Sequence, residues 1–112
     1  MQPETHKLLV DILHAADEIR EFTGGYDLAS FRKDPKCRAA VERKFEIMGE
    51  ACTRIRDRDP DAFEKLPYGH QVIGLRNRVI HGYDSVDETI IWDVISIHLD
   101  AFITQVETLA SA

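Results

Sequence analysis

Leu8, Leu9, Ile12, Ala15, Ala16, Ile19 and Phe22 recur at spacings of three and four, the period that gathers apolar side chains on one face of a helix. The spacing predicts a helix over about 4–22, closed at Gly24-Gly25, because glycine enters the left-handed conformation that ends a helix at little steric cost. A second helix is predicted over about 35–57, where Val41, Phe45, Met48, Cys52 and Ile55 step by four, three, four and three. Asp34 before Pro35 marks its start. The carboxylate can cap, and the proline lacks an N–H that the first turn leaves unpaired anyway. The stretch "RDRDPDAFEKLPYGH" then interrupts the period, and Pro60 and Pro67 can each begin a short new helix. A third helix over about 68–81 carries Val72, Ile73, Leu75, Val79 and Ile80, with Gly82 as its stop. After "DSVDE", in which Ser85 or Asp87 can cap, the last helix runs to about 109. It contains Ile90, Ile91, Val94, Ile95, Ile97, Leu99, Phe102, Ile103 and Val106. Being apolar on more than one face, it is expected at the centre of the fold or covered on two sides. No segment alternates with period two, and the last element is far too long for a strand. The pattern as a whole predicts an all-α fold, an up-and-down four-helix bundle with a short extra helix.

Size makes this one domain over 1–112, long enough for one hydrophobic core and too short for a second. Any site is therefore built on a single layer of helices or shared with a second copy. An apolar fraction of 44% and a charged fraction of 30% are those of a folding chain. No apolar run approaches the roughly 20 residues a bilayer crossing needs, and "MQPETHKLLV" lacks the layout of a signal peptide. No membrane association and a cytoplasmic location are expected. Cys37 and Cys52 stand fifteen positions apart in one predicted helix, about 20 Å at the helical rise, so they are expected as reduced thiols.

A net charge of −6 argues against general affinity for nucleic acid. Its distribution qualifies that reading. Residues 32–58 hold nine Lys and Arg against five acids, a local balance of +4, whereas residues 84–112 hold six acids and no Lys or Arg. On the second helix Lys36, Arg43, Glu50 and Arg54 form a polar stripe well away from the apolar one, which faces solvent, a partner or a ligand. Asp11, His14 and Glu18 share a face of the first helix, but such a group is usually solvated, and no metal or other cofactor is expected. His6, His70 and His98 have no Cys or His at ligand spacing. Trp92 is assigned to the core or a dimer seam, and Tyr26 and Tyr68 to loop packing.

The densest chemistry lies in "RNRVIHGY", residues 76–83. His81 is the type of side chain that takes or gives a proton near neutrality, and Arg76 offers a phosphate a planar, permanently charged fork. Together they suit cleavage of a phosphodiester, the base activating a 2′-hydroxyl and the cation stabilising charge on the phosphoryl oxygens. Five residues of helix turn by about 500°, however, leaving Arg76 and His81 about 140° apart, while Asn77 and His81 share a face. The last turn loosens at Gly82, or the Arg side chain reaches around, or a second protomer completes the site. A two-fold axis would also supply the two titrating groups that acid and base roles require. Capping of carbonyls by Arg and His at a helix end accounts for the same residues without chemistry.

"GLRNRVIHGYDSVDETIIWDVI", with "CRAAVERKFEIMGEACTRI" upstream, resembles the HepT-like branch of the HEPN proteins, small all-helical domains whose signature is Arg-x4–6-His. Asn often follows the Arg, and in this branch a Tyr stands two past the His. Those positions are Arg76, Asn77, His81 and Tyr83 here. The resemblance covers about 35–100 in detail and the four-helix layout throughout. It implies a homodimeric, metal-independent endoribonuclease, the toxin of a toxin–antitoxin pair, with Arg76 and His81 catalytic and Asn77 assisting. It also implies a minimal nucleotidyltransferase as antitoxin, attaching AMP to Tyr83. Lys36, Arg43, Arg54 and Arg78 are then candidates for an RNA-binding or dimer-cleft surface, with no catalytic role carried over to Glu50. A rival of another class, a catalytically inactive nucleotide-binding or protein-interaction module, is favoured by the acidity and the plain bundle.

Overall fold

The computed structural model describes residues 1–81 and 87–112. Its elements are α1 (Pro3–Thr23), α2 (Leu28–Lys33), α3 (Pro35–Arg58), α4 (Pro60–Glu64), α5 (Gly69–His81), α6 (Glu88–Asp93), a π-helical segment (Val94–His98) and α7 (Leu99–Ala110). Among the described residues there is no strand. The last three elements follow without a break as one 23-residue helix, Glu88–Ala110. The four long helices are those expected, and the one short extra helix becomes two, α2 and α4.

Local chemistry sets the boundaries. Asp34 Oδ1 accepts the Cys37 N–H at 3.0 Å and so caps α3, with Pro35 at its first position. Asp59 caps α4 in the same manner through the Ala62 N–H, and Asp87 caps α6 through the Thr89 N–H at 2.9 Å. After α1 the chain turns through Gly25 at φ 81°, the left-handed conformation that glycine alone takes freely. The expected cap at Ser85 and stop at Gly82 lie outside the described residues. α2 rests on a capping box: Asp27 accepts the Ser30 N–H while the Ser30 hydroxyl accepts the Asp27 N–H, both at 2.9 Å. Its single buried residue, Phe31, packs 5.3 Å from the half-buried Trp92.

The core follows the stripes. Leu9, Ile12, Ala16 and Ile19 of α1 meet Val41, Phe45, Met48, Cys52 and Ile55 of α3, all fully buried. The centre is α3, which packs against α1 on one side and α5 on the other. This corrects the expectation that the terminal helix would be central or covered on two sides. Ile91, Leu99, Phe102, Ile103 and Val106 are buried, but Ile90 and Ile97 stay exposed, Ile97 at 65%. The π turn supplies the physical reason. Leu99 donates its N–H to Val94, one residue further back than in an α-helix, which rotates the later stripe by about 100° relative to the earlier one. The inward face after the turn is thus not an extension of the face before it, and some apolar side chains are left outside. Ile80, expected inside, is likewise 38% exposed.

The same stretch corrects the expectation that no run approaches the length of a bilayer crossing: Glu88–Ala110 is long and apolar enough by composition to cross a bilayer. Its buried stripe packs on α1. Cys37 and Cys52 are both free and buried, as the fifteen-residue separation required.

Candidate active site

α3 and α5 approach closely at Gly49. A Cβ added there would stand 2.2 Å from Cβ of Arg76, 2.7 Å from its Cδ and 2.8 Å from its Cγ. Only a residue without a side chain lets the stem of Arg76 lie against the α3 backbone. From that seat the guanidinium emerges beside Glu50, whose Oε2 lies 2.9 Å from Nη2. The other oxygen, Oε1, accepts a hydrogen bond from Nε of Arg54 at 3.0 Å. One carboxylate thus bridges two arginines, one from each helix. Arg76 is half-buried, and its Nε is buried with no hydrogen-bond partner among the described residues.

These groups border an open cleft of about 280 Å³ between α1, α3 and α5. Asp11 reaches it from α1, Arg43, Glu46, Glu50 and Arg54 from α3, and Arg76 from α5. Three cations face three acids here, so local affinity for an anion rests on individual guanidinium groups rather than on a broad positive field. A second cavity, between α3, α5 and the terminal helix, is lined by Phe45, Met48, Val72, Leu75 and Phe102 together with Tyr68, Gln71 and His98. Neither Lys nor Arg lines it, and its wall is mainly apolar.

The structure unites some of the sequence-selected residues and separates others. Arg43 and Arg54 join Arg76 at the cleft. Lys36 does not: it lies in the first turn of α3, beside Lys33, Asp34 and Gly25 in a separate shallow depression. Asn77, Arg78 and His81 are exposed. α5 is helical through His81, so about 140° of rotation still separates His81 from Arg76, and about 200° separates Arg78 from it. Loosening at Gly82 therefore does not bring His81 round to Arg76. Tyr83 lies outside the described residues. Of the residues weighed as metal ligands, Asp11 pairs with Lys7 at 2.8 Å and Glu18 with Lys44 at 3.1 Å. His70 sits edge-on to Phe63, and His98 packs against Tyr68.

The cations of α3 are partly paired within the chain. Arg43 pairs with Glu46 and Arg54 with Glu50 inside the helix, and Lys44 with Glu18 and Arg38 with Glu88 bring in acids from outside it. The last contact joins the basic helix to the acidic end of the molecule, and Arg32 of α2 reaches the same end by donating a hydrogen bond to the Thr89 hydroxyl at 2.6 Å. Gly49 was not singled out by pattern reasoning, and Glu50 was noted without a partner. The signal for Gly49 was present. A glycine inside an otherwise strong helix costs about 1 kcal/mol relative to alanine, which calls for a close approach to explain it.

The fold and site define a small all-α bundle that fixes one arginine in an interhelical cleft and leaves Asn and His exposed at the end of the same helix. The model of the HepT-like ribonuclease family matches residues 12–109, and the chain belongs to that family. It is 36% identical over 87 residues to a candidate RNase of Methanocaldococcus jannaschii, covering 78% of this chain and 79% of that one. It is also 33% identical over 92 residues to the probable ribonuclease HepT of Thermococcus cleftensis, covering 81% and 83%. No solved structure matches the chain.

Proposed function

We propose that this protein is a metal-independent endoribonuclease that acts as the toxin of a toxin–antitoxin pair, through a site composed across a homodimer. Membership of the HepT-like ribonuclease family supports RNA as the substrate. The observation that carries the composite site is the divergence within one chain: Arg76 is turned into the cleft against α3, while His81 is exposed about 140° away. In a two-fold dimer, His81 of one protomer faces a phosphate held by Arg76 of the other, and the second His81 supplies the complementary acid or base. His81 removes the proton of the 2′-hydroxyl, the oxygen attacks the adjacent phosphorus, and the 5′-oxygen leaves with a proton. Arg76 stabilises the charge that gathers on the phosphoryl oxygens. Asn77, on the face of His81, assists by hydrogen bonding. Arg43, Arg54, Lys36 and Arg78 contribute to holding the strand or the seam between protomers. AMP attached to Tyr83 by a minimal nucleotidyltransferase antitoxin adds bulk and negative charge two residues from His81, opposing an incoming phosphate. A cytoplasmic location accords with RNA as target.

The test is incubation of the purified, unmodified protein with RNA in the presence of chelator. Cleavage is expected to survive chelation and to fall by about 10² to 10⁴-fold in His81→Ala. Absence of cleavage by cleanly unmodified wild type refutes the reading. Intact mass after co-production with the nucleotidyltransferase should show added adenylate on wild type and not on Tyr83→Phe, and solution mass should be that of a dimer.

A further inference from the structure

We propose that Glu50 is the positioning residue for Arg76, the group that sets where its guanidinium presents to the scissile phosphate. The proposal rests on the ribonuclease reading above and adds a residue to it. Arg76 has a long, freely rotating side chain, and three features bear on where it points. Its stem is seated by Gly49, where a Cβ would come within 2.2 Å of it. Its Nε is buried and makes no hydrogen bond among the described residues, so that donor gives no orientation. The one carboxylate in ion-pair contact with its guanidinium among the described residues is Glu50, with Oε2 2.9 Å from Nη2. Among the described residues, one side chain therefore sets the direction of the fork.

Glu50 has a second partner of its own. It stands on the central helix, next to the glycine that seats the arginine stem, and its Oε1 accepts from Arg54 Nε at 3.0 Å. Arg54 sits one turn further along the same helix and restrains the carboxylate, so the chain of support runs from the α3 backbone through Glu50 to Arg76. The pairing engages Nη2 and, among the described residues, leaves Nη1 to meet an oxygen of substrate. A carboxylate beside the arginine also lowers the local positive potential, which disfavours indiscriminate anion binding and confines the benefit to a phosphate that reaches the guanidinium directly. Asp11 and Glu46 face the same cleft but pair with Lys7 and Arg43 instead.

The test compares wild type with Glu50→Ala, Glu50→Gln, Arg76→Lys and the double variant Glu50→Ala/Arg76→Lys, all as full-length chains. Glu50→Ala is expected to lower kcat by about 10 to 100-fold, with KM within about two-fold of wild type, as for loss of an orienting partner behind a reacting group. Glu50→Gln, which keeps an acceptor oxygen at the same reach, should recover part of the loss. The double variant should be little slower than Arg76→Lys, because Glu50 acts through the guanidinium that lysine lacks. A readout free of activity accompanies these. The Arg76 Nη–H resonances, assigned by their disappearance in Arg76→Lys, should be split in wild type by slowed rotation about the Nε–Cζ bond, because Glu50 holds Nη2, and averaged in Glu50→Ala. Glu50→Ala with full kcat, an additive loss in the double variant, or unchanged Nη–H signals overturns the proposal. Wild type that cleaves no RNA overturns the ribonuclease reading instead, and the resonances still decide whether Glu50 holds Arg76.

Discussion

Replacing glycine by alanine inside a helix usually stabilises it, by about 1 kcal/mol when nothing obstructs the new methyl group. Two glycines of this protein are expected to answer with opposite sign. At Gly74, in α5, an added Cβ meets nothing within 4 Å, so Gly74→Ala should gain about 0.5 to 1 kcal/mol. At Gly49 the Cβ would stand 2.2 Å from Cβ of Arg76, roughly 1.2 Å short of the 3.4 Å at which ordinary contact begins. The atom struck is the root of the arginine side chain and not its flexible tip. Rotamer changes cannot move it, and α3 and α5 have to separate. Overpacking of this kind costs about 1 to 3 kcal/mol, with the upper end apt because backbone must shift along one of the two interfaces of the central helix. After the helical gain is set against it, Gly49→Ala should be destabilised by about 1 to 2 kcal/mol, a large part of the 5 to 15 kcal/mol typical of a domain. The assay is urea unfolding followed by circular dichroism, with the denaturant slope checked for constancy. RNA cleavage should fall further than folded fraction in Gly49→Ala, because the shift carries Arg76 away from Glu50. Midpoints that move in the same direction for both variants would refute the close approach of the two helices.

Other outcomes follow from burial and hydrogen bonding. The Tyr26 hydroxyl donates to Asp34 Oδ2 at 2.6 Å, which raises the phenol to about 12 and lowers the Asp34 carboxyl from its ordinary range. The phenol's contribution to stability is full below its unfolded pKa of about 10 and lost as pH rises to about 12, so phenolate absorbance should show one tyrosine titrating late. Asp34's contribution is present above the unfolded carboxyl pKa and lost as pH falls through its depressed folded value. Tyr26→Phe should therefore be less stable than wild type at neutral pH, with the deficit shrinking in acid, as urea midpoints against pH will show. Burial pushes the Cys52 thiol up to about 12, so alkylation at neutral pH should require unfolding, and prompt labelling of the native protein would contradict that. Phe45→Ala, at a fully buried position on the central helix, should cost about 3 to 5 kcal/mol by calorimetry or urea.

The apolar period of three and four, together with the Asp-Pro cap of α3 and the glycine turn after α1, was enough to determine the four long helices and most of the apolar buried residues of α1 and α3. These are local properties: a helix needs only its own side chains to define a face, and a cap needs only the next turn. The Arg-x4-His spacing likewise determined that one straight helix cannot aim both residues at one point, and α5 keeps that geometry through His81. The terminal helix was misplaced because a π turn is invisible to a periodicity count. One extra residue per turn re-aims a stripe without changing its composition, and whether it forms depends on what the neighbouring helices leave open. The seat of Arg76 was beyond the sequence for the same reason. Glu50 and Arg76 lie on different helices, and Gly49 becomes informative only once α5 is laid against it. Contacts between elements depend on how whole faces pack, so only the tertiary structure could decide which carboxylate meets Arg76, and that Lys36 lies outside the cleft.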